Sequence, residues 1–152
     1  MSAINNIQDE IIEEFSGLSD WMDKYAYIIE LGNAVEPLEE KFKTPDNIIE
    51  GCQSRVWLVA DEQDGKIDFR ADSDAIIVKG LISLLIRVLS GHTPQEILDC
   101  DLYFLKEIGL QAHLSPTRSN GLLAMITHMR VYAFAYKAKL GNLEKRENKT
   151  LY

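Results

Sequence analysis

Cys52 is the residue of this chain best placed to do chemistry. It sits in Glu50-Gly51-Cys52-Gln53-Ser54, where a turn (Thr44-Pro45-Asp46-Asn47) and the pair Ile48-Ile49 lead into a hairpin. Cysteine reacts as the thiolate, and at an ordinary pKa of ~8.5 only a few per cent of a free thiol is ionised at neutral pH. Gly51 lets another molecule's backbone come close. Gln53 and Ser54 are polar, and Arg55 is the nearest cation in sequence. The plain counter-reading is a small buried side chain, the commonest fate of a free cysteine. Ile48-Ile49 just before the loop predicts that Cys52 tucks inward in the free protein.

The other candidates are weaker. Cys100 lies in Asp99-Cys100-Asp101, where flanking carboxylates disfavour a thiolate, so a structural role is expected. His92 follows a helix end and His128 lies within the last helix; neither has metal-ligand spacing to a cysteine. His113 is a candidate base for Cys52, though a single histidine far along the chain is a thin signal. There is no glycine-rich phosphate loop and no paired-cysteine motif. The expectation is no cofactor and no metal.

Composition narrows the class. A chain of 152 residues suffices for one domain with its own core. The net charge of −8 argues against nucleic acid, whose phosphates repel an acidic surface. The charge is uneven: residues 1–50 carry a net −9 and residues 130–152 a net +4. That asymmetry could steer a protein partner, though most of these charges read as ordinary solvated surface. No apolar run reaches the ~20 residues of a membrane helix. No basic-then-apolar segment opens the chain, and its two cysteines lie far apart. These features predict a reducing cytoplasm, where a resting Cys52–Cys100 disulfide is disfavoured.

The elements that must hold Cys52 follow from periodicity. Ile4, Ile7, Ile11 and Phe15 share one face of a predicted helix over 3–15, interrupted by Ser16-Gly17. Trp21, Tyr25 and Ile28 predict a second helix over 20–31, with Gly32 as its stop. Pro37 suits the first turn of a short helix through Phe42. After the Cys52 loop, residues 55–60 read as a strand apolar on both faces, so helices are expected to cover it. Asp64-Gly65 predicts a tight hairpin turn. In the return strand Ile67, Phe69 and Ala71 face one way and Lys66, Asp68, Arg70 and Asp72 the other, as for a sheet with one wet face.

Asp72-Ser73-Asp74 offers three candidate caps for a helix over 75–90. That helix is apolar nearly all round and is expected to be central, with Gly80 packing closely against the sheet and Gly91 ending it. Thr93-Pro94-Gln95-Glu96 is a capping box for a short helix to Leu98. Another runs from Leu102 to Ile108 and stops at Gly109. A polar loop over 111–121 carries His113 and Arg118. Leu122, Ile126, Met129, Ala133, Tyr136 and Leu140 predict a last helix over 122–140, ended by Gly141 and followed by a polar tail, 142–152. With no repeat or linker, residues 1–141 are read as one domain. Its class is α+β: a small antiparallel β-sheet flanked by helices.

Three blocks carry a resemblance. Gly51-Cys52-Gln53-Ser54-Arg55-Val56-Trp57, then Asp72-Ser73-Asp74-Ala75-Ile76-Ile77-Val78-Lys79-Gly80-Leu81, then His113-Leu114-Ser115-Pro116-Thr117-Arg118-Ser119-Asn120-Gly121-Leu122, in this order and spacing, strongly resemble the SufE family. These are the sulfur-acceptor proteins of cysteine desulfurases. The likeness covers residues 5–140 and implies a fold similar to the iron–sulfur scaffold IscU.

The resemblance also implies an activity. A pyridoxal-phosphate cysteine desulfurase holds sulfur from L-cysteine as a persulfide, and the Cys52 thiolate attacks the outer sulfur. The persulfide on Cys52 then passes to an iron–sulfur assembly scaffold, a SufB-containing complex. The chain would be a carrier and activator of a SufS-like desulfurase rather than an enzyme, with no cofactor of its own. Asp74 and Arg118 match charged positions of the blocks and read as an ion pair or loop anchor for Cys52. The plain alternative is a surface pair worth ~0–1 kcal/mol. His113 matches the last block with no role fixed, and Cys100 lies outside the motif. Oligomeric state is open, a homodimer included. Two other classes stand beside this one: an IscU-like cluster scaffold, which needs several ligands near Cys52, and a cysteine hydrolase pairing Cys52 with His113.

Overall fold

The computed structural model describes residues 3–151, with side chains through Leu143. Helices α1 (Ala3–Ser16) and α2 (Trp21–Asn33) lead through single tight helical turns, Glu40–Phe42 and Pro45–Asn47, to the hairpin β1 (Val56–Gln63) and β2 (Lys66–Ser73). Then come α3 (Ile76–Leu89), α4 (Pro94–Asp99), α5 (Phe104–Glu107), α6 (Leu110–His113) and the long α7 (Pro116–Leu151). The α+β expectation stands. Among the described residues no helix is long and apolar enough to cross a membrane.

The hairpin turns where the sequence puts the turn. Asp64 and Gly65 both take positive φ, 55° and 81°, and the strands pair antiparallel from Gln63↔Lys66 to Val56↔Ser73. That backbone twist matches the twist of the strands, which favours Asp-Gly there. A lone two-stranded sheet is marginal in water, and here both outer edges are engaged. On β2, the Ile67 N–H donates to the His92 carbonyl and the Phe69 N–H to Ser90 Oγ. On β1, the Val56 carbonyl accepts from the Ile49 N–H, and the Ala60 carbonyl from the Tyr136 hydroxyl. Ile67, Phe69 and Ala71 face the core, as their alternation predicts.

The second face of the sheet is wet at Lys66, Asp68 and Arg70, as expected, and departs from expectation at the end nearer the Cys52 loop. There the segment before that loop lies against it: Lys43 lies over the Trp57 ring, and Arg70 reaches over Phe42. Asp72, expected to be wet, is therefore only 4% exposed. Its carboxylate accepts the Leu38 and Ser73 N–H groups and lies 3.4 Å from both Lys43 and Lys79. The pinning of Leu38 to Asp72 also explains why the expected helix from Pro37 shrinks to one turn at Glu40–Phe42. Asp72, Ser73 and Asp74 do not cap α3 in the usual way. Ala75 holds the cap position, and Ser73 Oγ accepts the Ala75 N–H.

Helix α3 is the centre, with Leu81, Ile82, Leu84, Leu85, Val88 and Leu89 at 2% exposure or less. Gly80 packs against α2 and not against the sheet: a Cβ on it would stand 2.1 Å from the Ile28 carbonyl oxygen. Gly32, expected to stop α2, lies inside that helix and forms the other half of the contact, with Ala34 as the cap. The capping box opens α4 as predicted.

Two boundaries of α7 differ from expectation. It starts at Pro116 rather than at 122, so the expected polar loop is mostly helix, with α6 before it. Ser115 Oγ accepts the Arg118 N–H, and proline suits the first helical position. Nor does Gly141 end the helix, whose backbone continues to Leu151. One interior glycine weakens a helix by only ~1 kcal/mol, and Leu143, Glu144, Lys145 and Arg146 beyond it favour helix. Tyr152 and the side chains of the expected tail beyond Leu143 lie outside the described residues.

Candidate functional site

The Cys52 loop turns hard against α7. Gly51 takes φ +94°, a left-handed conformation that strains any side chain, and a Cβ on it would sit 3.2 Å from the Ala124 Cβ. Cys52 follows, half-buried, and its Sγ lies 3.6 Å from the Gly121 carbonyl oxygen, an acceptor for the S–H. Gly121 and Ala124 stand three residues apart on one face of α7, the face that meets the loop.

Cys52 opens onto a cleft of about 450 Å³ between its own loop, the start of α3 and the first turns of α7. The lining mixes apolar Ile77, Leu81 and Met125 with polar Ser54, Thr117 and Arg118. Burial pushes the Cys52 thiol above its ordinary pKa. A carbonyl acceptor also favours the neutral S–H over the thiolate. The resting thiol is thus sheltered and unactivated. Ile49, three residues before it, is 1% exposed, while Gly51 and Gln53 on either side of Cys52 are exposed.

The supporting residues are arranged differently from the simplest expectation. Asp74 and Arg118 form no ion pair. Asp74 is engaged where the loop enters β1: its Oδ1 accepts the Arg55 N–H at 3.0 Å, and its own N–H donates to the Arg55 carbonyl. The Arg118 guanidinium instead lies over the Tyr25 ring, 5.6 Å from its centre. It lines the Cys52 cleft from the α7 side. His113 is exposed and stacks on Trp21, ring centres 4.8 Å apart and nearly parallel. It makes no hydrogen bond to Cys52, so the cysteine–histidine pair is not formed.

Cys100 lies elsewhere, at the C-terminal cap of α4, where it accepts a weak bond from Gln8 Nε2. Burial, more than the neighbouring Asp101, pushes its thiol up. Both cysteines are free thiols. Gly121 and Ala124 are the site residues that sequence reasoning does not single out. Gly121 stands three residues from Arg118 in sequence, but a loop over 111–121 gives it no helix face on which to meet Cys52. Ser115-Pro116, a cap followed by a first-turn proline, is the signal that marks the helix start.

Comparison with known proteins bears on this geometry. The SufE family, described as an Fe-S metabolism associated domain, matches residues 9–133. The solution structure of a hypothetical protein from Thermus thermophilus superposes with a TM-score of 0.71 at 22% identity, over 87% of this chain and 96% of that one. That likeness shows the fold alone. The family match spans the Cys52 loop, the hairpin, α3 and the start of α7, and by it the chain belongs to the SufE family, whose domain is associated with Fe–S metabolism.

Proposed function

We propose that this protein is a persulfide carrier and desulfurase activator, with Cys52 as the sulfur acceptor. The observation that carries the reading is a lone thiol on a loop that turns at a positive-φ glycine, sheltered at a cleft whose described lining holds no histidine or carboxylate. Such a thiol is unsuited to hydrolysis but suited to accept sulfur when a partner draws it out and deprotonates it. The Cys52 thiolate bonds to the outer sulfur of the donor's persulfide. The donor S–S bond breaks, and the donor cysteine leaves as thiolate. Oxidation level is conserved, so no external oxidant or reductant takes part.

The donor is a SufS-like cysteine desulfurase, freed for its next turnover when it gives up its sulfur. The recipient is an iron–sulfur assembly scaffold of the SufB-containing kind, and the setting is the cytoplasm. Asp74 and Arg118 act as positioning residues, Asp74 through the loop's exit and Arg118 as a cation facing the cleft. His113 is assigned to packing on Trp21. The cluster-scaffold reading is less supported. Among the described residues no three His, Cys, Asp or Glu side chains group as metal ligands would. The hydrolase reading lacks its base, since His113 does not reach Cys52.

The test is mass spectrometry of the protein incubated with a cysteine desulfurase and L-cysteine, with Cys52→Ser as control. The expected result is a gain of one sulfur on the Cys52 peptide, reversed by reductant and absent in the control. No gain with an active desulfurase of the matching type would move the assignment to the scaffold reading.

A further inference from the structure

If Cys52 carries sulfur, the cleft must hold one atom more than it holds now. This inference rests on the carrier reading. The Gly121 carbonyl accepts the thiol proton at rest, with Sγ 3.6 Å away. A Cβ built on Gly121 would lie 3.7 Å from Sγ, ordinary van der Waals contact. An alanine would therefore fit beside the thiol. It would not leave room for a second sulfur placed ~2.05 Å beyond the first on that side.

The direction of that space matters. A helical Cα–Cβ bond tilts toward the helix N-terminus, so a side chain at 121 would lean over the preceding turn. That turn carries Thr117 and Arg118, which line the same cleft. A side chain at 121 would thus enter the part of the cleft that Cys52 shares with those two polar groups, the ones able to receive an anionic outer sulfur. Gly121 lies inside α7, where glycine is a weaker helix former than alanine. It neither ends the helix nor takes a positive φ.

We propose that Gly121 is a positioning residue that keeps open the space beside Cys52 Sγ in which the outer sulfur of the persulfide rests, facing Thr117 and Arg118. The cleft then shelters –S–S⁻ and not only –SH.

The experiment compares wild type, Gly121→Ala and Gly121→Val, loaded with sulfur in two ways. Inorganic disulfide (Na2S2) needs no docking: the Cys52 thiolate attacks one sulfur, the S–S bond breaks and hydrosulfide leaves. A cysteine desulfurase with L-cysteine supplies the second route. Persulfide half-life after donor removal is read by intact mass, the resting thiol by its iodoacetamide rate, and the fold by thermal unfolding. For Gly121→Ala the expected result is a Tm at or above wild type, with a thiol rate lowered less than the persulfide half-life. Its persulfide half-life should be shortened about tenfold, and that of Gly121→Val further. Equal persulfide half-lives for wild type and Gly121→Ala would overturn the proposal. Wild type that loads from Na2S2 but not from the desulfurase would overturn the carrier reading instead, while the Na2S2 half-lives still decide the role of Gly121.

Discussion

Gly80 in α3 lies so close to Ile28 in α2 that a Cβ on the glycine would stand 2.1 Å from the Ile28 carbonyl oxygen. The neighbour is backbone, which cannot swing away as a flexible side chain would. The same contact includes Gly32, where a Cβ would meet the Gly80 nitrogen at 2.6 Å. Two glycines thus set the spacing of α2 and α3. Helix α3 in turn supplies Ile77, Val78 and Leu81 to the Cys52 cleft.

Gly80→Ala should therefore destabilise the protein by at least about 2 kcal/mol, the scale of overpacking a rigid contact. Gly17 has nothing within 4 Å of a built Cβ. Gly17→Ala, the control, should stay within about 0.5 kcal/mol. Urea unfolding of both variants checks the contrast.

Asp74 and Arg55 form a reciprocal bond at the exit of the Cys52 loop. Asp74→Ala removes the side-chain half and should lower stability by about 1 kcal/mol. The sharper expectation is kinetic: a loosened loop should expose Cys52 and raise its iodoacetamide rate. A rate equal to wild type would separate Asp74 from the loop.

Asp72 gives a pH dependence with a definite sign. Burial alone would raise its pKa, but the Leu38 and Ser73 N–H donors and the Lys79 ammonium outweigh it and hold the carboxyl below its usual value. A depressed folded pKa contributes stability above the unfolded value, and that contribution is lost as pH falls through the folded pKa. Asp72→Asn should cost about 1–3 kcal/mol at neutral pH. The gap to wild type should hold while pH stays above ~4, the unfolded Asp pKa, and narrow below it toward the depressed folded value. Denaturation midpoints across pH 3–8 for both proteins check this, over a range of about five units chosen to bracket that pKa.

Cys52 predicts a second titration, in reactivity. Because burial raises its pKa, the alkylation rate of the free protein should climb through a midpoint above the ~8.5 of an exposed cysteine. At neutral pH it should lag a peptide of the same loop. A matching desulfurase, if it draws the loop outward, should shift the midpoint down. Iodoacetamide rates against pH, with and without the partner, measure both.

What the sequence determined by itself is local or periodic. Asp64-Gly65 makes a hairpin because few residues tolerate two consecutive positive φ angles. Thr93-Pro94-Gln95-Glu96 caps α4 through bonds that span three residues. The apolar circumference of α3 marks it as central, and Cys52 is conspicuous as a thiol in a loop. Each of these follows from backbone sterics or from helix and strand periods acting over a few residues. The three blocks that carry the family likeness are legible for the same reason, as short contiguous strings.

Only the tertiary structure decided the rest. Asp72 alternates like a surface residue, yet the chain before the loop folds over it, and its charge is satisfied by Leu38, Lys43 and Lys79. Gly32 and Gly80 resemble a helix stop and a sheet contact, yet they touch each other's helices, because interhelical distance depends on which faces meet. Asp74 and Arg118 invite pairing by charge, yet a backbone N–H and an aromatic ring hold them apart. Gly121 lies 69 residues from Cys52 along the chain and 3.6 Å from its sulfur through the carbonyl oxygen. No local rule encodes that approach. It exists because α7 packs against α3 and α4, and because glycine at 51 gives the loop the left-handed turn that brings it against α7.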